Sequence, residues 1–173
     1  MFSEIWKAFL EMIQQKRADP VILPIPHNNA PNPSQFSDQE IVAKTLWGEA
    51  RDQGSEGMQA IANVIMRRAA LGGWWGNNPR AVCLYPSQFS CWNPDTMAHP
   101  NPNLSKMLAV TASDPQYLEA MQIAGQAIAG QIENIVCDAD SYKVHGTYAE
   151  WAQGLTPITS VGAHDFYITR KRA

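Results

Sequence analysis

Residues 37–51, which read SDQEIVAKTLWGEAR, decide the fold more than any other stretch of this chain. Ser37 followed by Glu40 is the sequence pattern of a capping box, in which each side chain accepts a hydrogen bond from the other residue's backbone N–H. An apolar run follows directly. A helix from Asp38 to Ala50 is therefore predicted, and it begins the folded domain.

The C-terminal turn of this helix carries a carboxylate in an unusual place. Val42, Leu46 and Glu49 stand at i, i+4 and i+7, so Glu49 continues the apolar stripe of the helix. A carboxylate there loses water and meets the negative end of the helix dipole, and both effects favour the protonated form that a general acid needs. Glu49 is therefore a candidate catalytic acid. The alternative is a buried glutamate paired with Arg51 or Arg67.

The rest of the chain predicts a predominantly helical α+β domain with a small irregular or β part. A second helix is predicted near Ser55–Leu71, and Gly72-Gly73 ends it. Asp114-Pro115 begins a third long helix that ends at Gly130. The alternation in His164–Ile168 predicts a strand with one apolar face. The buried face of the third helix is predicted from its apolar spacing: Leu118, Met121, Ala124 and Ile128.

The N-terminal segment, residues 1–36, is predicted to be distinct from the domain at residues 37–173. Residues 2–17 have amphipathic helical spacing, and a proline-rich linker or wrapping arm follows. The helix either packs on the domain or docks a partner through residues 1–17. Its mixed charges, and the lack of an apolar run of 18 residues, argue against stable membrane insertion. No secretory signal pattern occurs, so synthesis in a cytoplasm is expected.

The net charge and the motifs narrow the choice of ligands. The chain has 173 residues and a formal net charge of −3 at pH 7. Nucleic-acid-binding proteins are usually strongly basic, so no nucleic acid partner is expected. No phosphate-binding glycine loop and no standard zinc motif occurs, so neither a cofactor nor a metal is expected.

Residues 74–102 lack periodicity and combine aromatic rings with amides and hydroxyls. Flat aromatic faces stack on the C–H faces of pyranose rings, while amides and hydroxyls pair with sugar hydroxyls. This composition predicts carbohydrate binding, and the alternative is an aromatic mini-core below a long loop. The residues concerned are Trp74, Trp75, Tyr85, Phe89 and Trp92, with Asn77, Asn78, Gln88, Ser90 and Asn93 among them.

Two rival chemistries remain open from the residues alone. Cys91-Trp92 superficially resembles the cysteine of papain-like thiol enzymes, with His145 or His164 available downstream. Such a cysteine needs a helix N-terminus to lower its pKa, but Asn93-Pro94 follows at once. A zinc amidase that uses the same two histidines and an aspartate is the other alternative, although their spacing matches no standard zinc pattern.

Three blocks of sequence occur in order between residues 41 and 168. They read LWGEAR at residues 46–51, continued by Glu56-Gly57 and a helix that ends in Arg67-Arg68; YPSQFSCW at residues 85–92; and VGAHDFY at residues 161–167. Together they resemble the SleB-type cell wall hydrolases, which include spore cortex-lytic enzymes and related phage lysins. The resemblance does not extend to residues 1–36.

This resemblance implies a lysozyme-like, mostly helical domain that cleaves the glycan strand of peptidoglycan, its expected partner. The scissile bond joins N-acetylmuramic acid to N-acetylglucosamine, and the family's catalytic acid falls on Glu49. Tyr142 takes the place of an aromatic residue of the family, whereas Lys143 and His145 depart from the family pattern. The implied substrate-binding residues are Gln88, Ser90, Trp92, Tyr142, His164 and Phe166.

Lytic transglycosylase chemistry is preferred, because hydrolytic glycosidases need a second carboxylate and only Glu49 stands out. A hydrolytic muramidase with Glu56 or Asp52 as that carboxylate is one alternative. A thiol-dependent or zinc-dependent amidase or peptidase and an inactive glycan-binding module are the others. The expected setting is a phage endolysin that acts at the cell wall or in the periplasm, after release through holin-type membrane holes or as a virion component.

Overall fold

The computed structural model describes residues 32–96 and 101–169. They form the predominantly helical α+β domain that the sequence predicts, with one three-stranded antiparallel sheet. The predicted helix at residues 2–17 lies outside the described residues. Its predicted docking role therefore stays a prediction. The helices are α1 (Asp38–Ala50), α2 (Gly54–Leu71), α3 (Pro79–Leu84), α4 (Pro102–Ala109) and α5 (Pro115–Ile128), and the strands are β1 (Ser141–Val144), β2 (Thr159–Val161) and β3 (His164–Tyr167).

Helix α1 is the centre of the domain, and each of the other four helices packs against it. Its predicted bounds and its capping box are confirmed: Ser37 Oγ accepts from the N–H of Glu40 at 3.2 Å, and Glu40 Oε2 accepts from the N–H of Ser37 at 2.7 Å. Every residue from Ile41 to Trp47 is buried, so this helix is covered on all sides. Its less buried residues are the first three, 38–40, and Gly48 with Glu49 in the last turn.

A buried lysine fastens α4 to α1. The Nζ atom of Lys44 donates to the carbonyls of Met107, Leu108 and Val110 at 3.0, 3.2 and 3.1 Å. These carbonyls lie at the C-terminal end of α4, where the helix dipole favours a cation. Burial lowers the pKa of Lys44, but its three donors are all used. The lysine therefore fixes the direction of the short helix against the long one.

The predicted buried face of α5 is wrong for two of its four residues. Leu118 is 46% exposed and Ile128 is 42% exposed. The helix instead buries a face that includes three alanines, and at Gly125 it lies so close to α1 that a Cβ there would be 2.8 Å from Nε2 of Gln39. Close approach selects small residues over large apolar ones. The buried residues are Tyr117, Ala120, Ile123, Ala124 and Ala127.

The segment between α2 and α5 is more regular than the sequence predicts. It contains α3, which Asn78 caps by accepting the N–H of Ala81 at 2.8 Å, and α4. Six and eight residues are too few for a clear helical period, which explains why neither was predicted. No helix in the described ranges is long and apolar enough to cross a membrane.

The sheet has the order β1-β3-β2, with β3 in the middle. Tyr142 of β1 pairs with Phe166, and Thr159 of β2 pairs with the same residue from the other side. The prediction of one apolar face for β3 is wrong, because all four of its residues are buried. A central strand is covered on both faces here, and Asp165 is buried on the face opposite Phe166.

Candidate active site

Three donors from two other parts of the chain converge on the carboxylate of Glu49. The N–H of Cys91 donates to Oε1 at 3.0 Å, and the hydroxyl of Ser90 donates to the same oxygen at 3.3 Å. The hydroxyl of Tyr142, on β1, donates to Oε2 at 3.0 Å. Glu49 is half-buried at the last turn of α1, so these donors replace much of the water that it loses.

Within the described residues, neither Arg51 nor Arg67 pairs with Glu49, as the structural alternative requires. Arg51 turns back onto its own helix, where its Nη1 donates to the carbonyl of Trp47 at 3.2 Å and its guanidinium lies 4.3 Å from the Trp47 ring centre. Arg67 approaches Asp138 instead, at 3.9 Å. Both arginines named in the sequence analysis are therefore directed elsewhere, and Glu49 is held by neutral donors.

A glycine allows the Cys91 backbone to reach Glu49. A Cβ at Gly48 would lie 2.6 Å from the Cβ of Cys91 and 3.1 Å from the sulfur of Met107. The 3₁₀ turn Ser90–Trp92 can pack directly on α1 only because that Cβ is absent. The close packing of this turn thus explains why a glycine precedes Glu49 in the sequence.

An asparagine near the end of the aromatic segment holds the same turn in place. The side-chain amide of Asn101 donates to the carbonyls of Ser90, Cys91 and Asn93 at 3.3, 3.4 and 2.7 Å. Its own N–H donates to Asp95 at 2.7 Å. Sequence reasoning missed Asn101; its position before Pro102 indicates only a helix start.

Tyr142 presents the sheet to the glutamate. Burial and the negative charge of Glu49 raise the pKa of Tyr142 well above its usual value, so the hydroxyl keeps its proton. Its ring meets that of His164 edge-on at 5.2 Å and lies 5.9 Å from that of Phe166. Phe166 is fully buried beneath it. The predicted Tyr142, His164 and Phe166 are thus brought together.

His164 is a neutral ring beside the glutamate. It is 7% exposed, and burial lowers its pKa, opposed by the negative charges of Glu49, Asp52 and Asp165. Its Nδ1 is buried and accepts or donates no hydrogen bond within the described part of the chain. The imidazole is therefore uncharged at neutral pH. It brings a flat ring and a polar nitrogen atom to the site.

Gln88 and Trp92 are engaged by the protein itself. Gln88 Oε1 accepts from Arg68 at 3.3 Å, and its Nε2 donates to the carbonyl of Trp75 at 3.1 Å. The indole N–H of Trp92 donates to the hydroxyl of Thr45 at 2.9 Å. Both side chains therefore hold the segment that carries Ser90 and Cys91.

Arg68 is a buried cation behind this segment. Its guanidinium carbon lies 4.5 Å from the ring centre of Trp75 and 5.2 Å from that of Phe89, and its Nε donates to the carbonyl of Asp140 at 2.7 Å. Burial lowers its pKa, but an arginine stays charged. The negative charges of Asp140 and Glu49 act on this guanidinium and oppose the lowering of its pKa.

The two candidates for a second carboxylate are exposed. Glu56 lies in the first turn of α2, and Asp52 lies in the short 3₁₀ helix between α1 and α2. Within the described residues, no hydrogen bond joins either one to Glu49. Of the two, Asp52 is the one whose negative charge opposes the lowering of the His164 pKa.

The arrangement of Cys91, His145 and His164 fits neither the thiol enzyme nor the zinc amidase. Burial and the Glu49 charge raise the pKa of the Cys91 thiol, the opposite of what a thiolate nucleophile needs. His145 contacts Asp165 at 3.1 Å on one face of the sheet, whereas His164 meets Tyr142 on the other. In residues 32–96 and 101–169, no three His, Cys, Asp or Glu side chains form a group that could hold a metal ion.

Comparison with known proteins agrees with this architecture. A family model described as Cell Wall Hydrolase matches residues 52–167, which begin three positions after Glu49. No curated protein matches the chain. Its fold is similar to the crystal structure of the catalytic domain of the Bacillus cereus SleB protein, with 22% identity and a TM-score of 0.58 over 82% of this chain and 97% of that one.

A second solved structure has the same fold. It is the catalytic domain of the germination-specific lytic transglycosylase SleB from Bacillus anthracis, with 19% identity and a TM-score of 0.57. The match covers 84% of this chain and 99% of that one. The helices around α1 and the small sheet are therefore shared with an established enzyme fold.

Proposed function

This chain belongs to the cell wall hydrolase family, and from that premise we propose that it is a lytic transglycosylase. Its substrate is the glycan strand of peptidoglycan, and it breaks the bond between N-acetylmuramic acid and N-acetylglucosamine. Glu49 acts first as the acid and then as the base, so a single carboxylate performs both proton transfers.

The reaction is an internal transfer within the sugar. Protonated Glu49 gives its proton to the glycosidic oxygen, and the bond from that oxygen to C1 of the muramoyl residue breaks, its electron pair leaving with the oxygen. The 6-hydroxyl of the same muramoyl residue then bonds to C1, and its proton returns to Glu49. The products are an alcohol on N-acetylglucosamine and a 1,6-anhydro muramoyl end, and no water is consumed.

The observation that carries this proposal is the contrast between Glu49 and the other acids. Three donors fix Glu49, whereas Asp52 and Glu56 are exposed and are tied to it by no described hydrogen bond. A hydrolase needs a second carboxylate positioned on the opposite side of the scissile bond. One fixed carboxylate suits the transglycosylase instead.

The partners of Glu49 suit both of its charge states. The Cys91 N–H can only donate, so it stays directed at Oε1 throughout. The Tyr142 hydroxyl donates to ionised Oε2 and can rotate to accept a hydrogen bond from the carboxyl O–H when Glu49 is protonated. The carboxyl group can therefore release and regain its proton without a movement of the backbone.

Mass spectrometry of purified sacculi digested by the full chain tests this proposal. Anhydro-muropeptides are expected from the wild-type protein. Reducing muramic acid ends would support a muramidase, and free stem peptides would support an amidase or peptidase. The variants Asp52→Asn and Glu56→Gln are expected to keep the anhydro products, and a loss in either one as complete as in Glu49→Gln would overturn the single-carboxylate mechanism.

The biological setting in this proposal is a phage endolysin. The family resemblance includes phage lysins, and the sequence of residues 2–17 suits an amphipathic address or a helix packed on the domain. Expression inside a bacterium with and without a pore-forming holin separates release-dependent lysis from other routes. Deletion of residues 1–36 tests the role of this segment. If the shortened protein keeps its melting temperature and cuts sacculi normally, residues 1–36 serve as a targeting segment that the domain does not need for folding or catalysis.

A further inference from the structure

Trp74 forms an exposed flat surface near the candidate active site. It is 57% exposed, and one of its faces stacks on Trp75 with ring centres 4.3 Å apart and an angle of 27° between the planes. Tyr85, also exposed, meets it edge-on at 6.1 Å. We call Trp74 and Tyr85 the aromatic platform. The Trp74 face that does not stack on Trp75 is left available to a ligand.

The aromatic platform is held rigidly from behind. Trp75 is 3% exposed, and its ring lies under the Arg68 guanidinium at 4.5 Å, while its carbonyl accepts from Gln88. Gly76, with a φ of +105°, lies where a Cβ would be 3.0 Å from Ala81. Because the rings are already fixed, binding a ligand there costs little conformational entropy.

The aromatic platform is connected directly to the residues that hold Glu49. Tyr85 and Ser90 are five positions apart in the chain, so their backbones lie at most about 17 Å apart even when fully extended. Gln88, in the middle of this stretch, bonds to both Arg68 and Trp75. The platform therefore lies within the length of a short oligosaccharide from the glutamate.

We propose that the aromatic platform is a remote subsite of the same enzyme, where Trp74 stacks on a pyranose ring of the glycan strand. This inference rests on the proposed function, since the ligand is the part of the strand beyond the bond that is cut. A pyranose presents C–H groups to an indole face and hydroxyls to its surroundings. Asn77, exposed beside the platform, supplies an amide for those hydroxyls.

Trp151 provides a matched control. It is another exposed tryptophan, at 45%, and it meets Tyr167 edge-on at 5.4 Å. Neighbouring residues of a strand point to opposite faces, so Tyr167 and Phe166 face opposite sides of β3. Trp151 therefore lies on the side of the sheet away from Tyr142 and Glu49.

The test measures binding in full-length chains that carry Glu49→Gln, so that the strand is not consumed. The ligands are purified sacculi and chitooligosaccharides of increasing length, titrated by intrinsic fluorescence and calorimetry. Adding Trp74→Ala is expected to weaken binding of long ligands about tenfold, as for a lost aromatic anchor. The shortest ligands should bind as in the parent. Trp74→Phe should keep most of the affinity, and Trp151→Ala should keep all of it.

Three results would overturn the proposal: unchanged binding in the Trp74→Ala chain, an equal loss in Trp151→Ala, or a loss independent of ligand length. Unchanged glycan binding would instead favour a role of the aromatic platform in binding another protein. If the Trp74→Ala variant unfolds, Trp74→Leu, which fills the space without a flat ring, is measured instead; the folded leucine variant should show the same loss for long ligands, and unchanged binding in it would overturn the proposal. Failure of the transglycosylase proposal is seen separately, as absence of anhydro products from the unmodified chain.

Discussion

The two walls of the site hold Glu49 by different means. The helical wall, formed by the end of α1 and the turn Ser90–Trp92, supplies the carboxylate itself, a backbone N–H and a serine hydroxyl. The sheet wall, formed by β1 and β3, supplies one tyrosine hydroxyl on a cluster of aromatic rings. The helical wall therefore fixes the reactive group, and the sheet wall completes its surroundings.

This difference separates the expected effects of substitutions. A change in the helical wall moves the carboxylate or prevents the turn from packing, so it affects both chemistry and folding. A change in the sheet wall removes one contact from a carboxylate that remains fixed by the others.

The largest effect is expected from Glu49→Gln, which removes the proton donor and keeps the shape of the side chain. The rate of strand cleavage should fall by about 10²–10⁴-fold, the usual contribution of general acid–base catalysis. The circular dichroism spectrum and the melting temperature should stay close to those of the wild type. Substantial residual cleavage by a folded variant would contradict the role of Glu49.

Gly48→Ala should destabilise the helical wall. Alanine normally favours a helix over glycine, but its Cβ here would lie 2.6 Å from that of Cys91. Urea denaturation should show a loss of about 1–3 kcal/mol, typical of an overpacked core. Gly125→Ala is the matched control, since the contact there is the flexible end of Gln39 and costs much less. Equal stability of the two variants would refute the close packing at Gly48.

Tyr142→Phe tests the sheet wall. The ring remains and one hydrogen bond to Glu49 is lost, which is expected to slow cleavage about tenfold, equivalent to about 1.4 kcal/mol. Tyr117→Phe changes another buried tyrosine, beside Lys44, and should leave the rate unchanged. A loss in Tyr142→Phe as large as that in Glu49→Gln would make the tyrosine an equal partner in the chemistry.

The smallest effect is expected on the face of the sheet away from Glu49. Asp165 accepts from Ser160 at 2.6 Å and contacts His145 at 3.1 Å and Lys143 at 3.8 Å. These partners, Ser160 first and then His145, lower the pKa of Asp165 below its ordinary value of 3.8. Because the pKa is lower in the folded state, the ionised carboxylate stabilises the fold above pH 3.8. This stabilisation is lost as the pH falls from 3.8 through the folded-state pKa.

Asp165→Asn should therefore cost about 1 kcal/mol at neutral pH, the usual worth of such a hydrogen bond. The difference from the wild type should shrink as the pH falls below 3.8. Denaturation curves over this range measure it. Asp138→Asn, in a more exposed pair with Arg67, is the control and should cost less. A difference that grows on acidification would contradict the assigned partners.

Local patterns predicted the part of the helical wall that α1 forms, but not the turn Ser90–Trp92. Residues of a single helix and its N-cap were enough to predict the bounds of α1, its capping box and the position of Glu49 on its apolar side. The ends of α2 and α5 follow from glycines and an Asp-Pro start in the same way. Signals of this kind are readable because each involves only a few neighbouring residues.

Contacts between distant residues could not be predicted in this way. The N–H of Cys91 carries no side-chain signal, although it is a principal partner of Glu49. Asn101 acts through carbonyls that belong to another turn. The prediction for the buried face of α5 was wrong because three of its five buried residues are alanines, which carry a weaker apolar signal than the exposed Leu118 and Ile128. The two residues outside the family pattern, Lys143 and His145, have partners in Asp165.

Digestion of sacculi in water labelled with heavy oxygen tests the central claim, that Glu49 alone directs an internal transfer. A transglycosylase uses the muramoyl 6-hydroxyl, so mass spectrometry should show anhydro ends that carry no label from the solvent. A hydrolase uses water as its nucleophile. Reducing muramic acid ends that carry one heavy oxygen in each new terminus, formed at the rate of cleavage, would contradict the account.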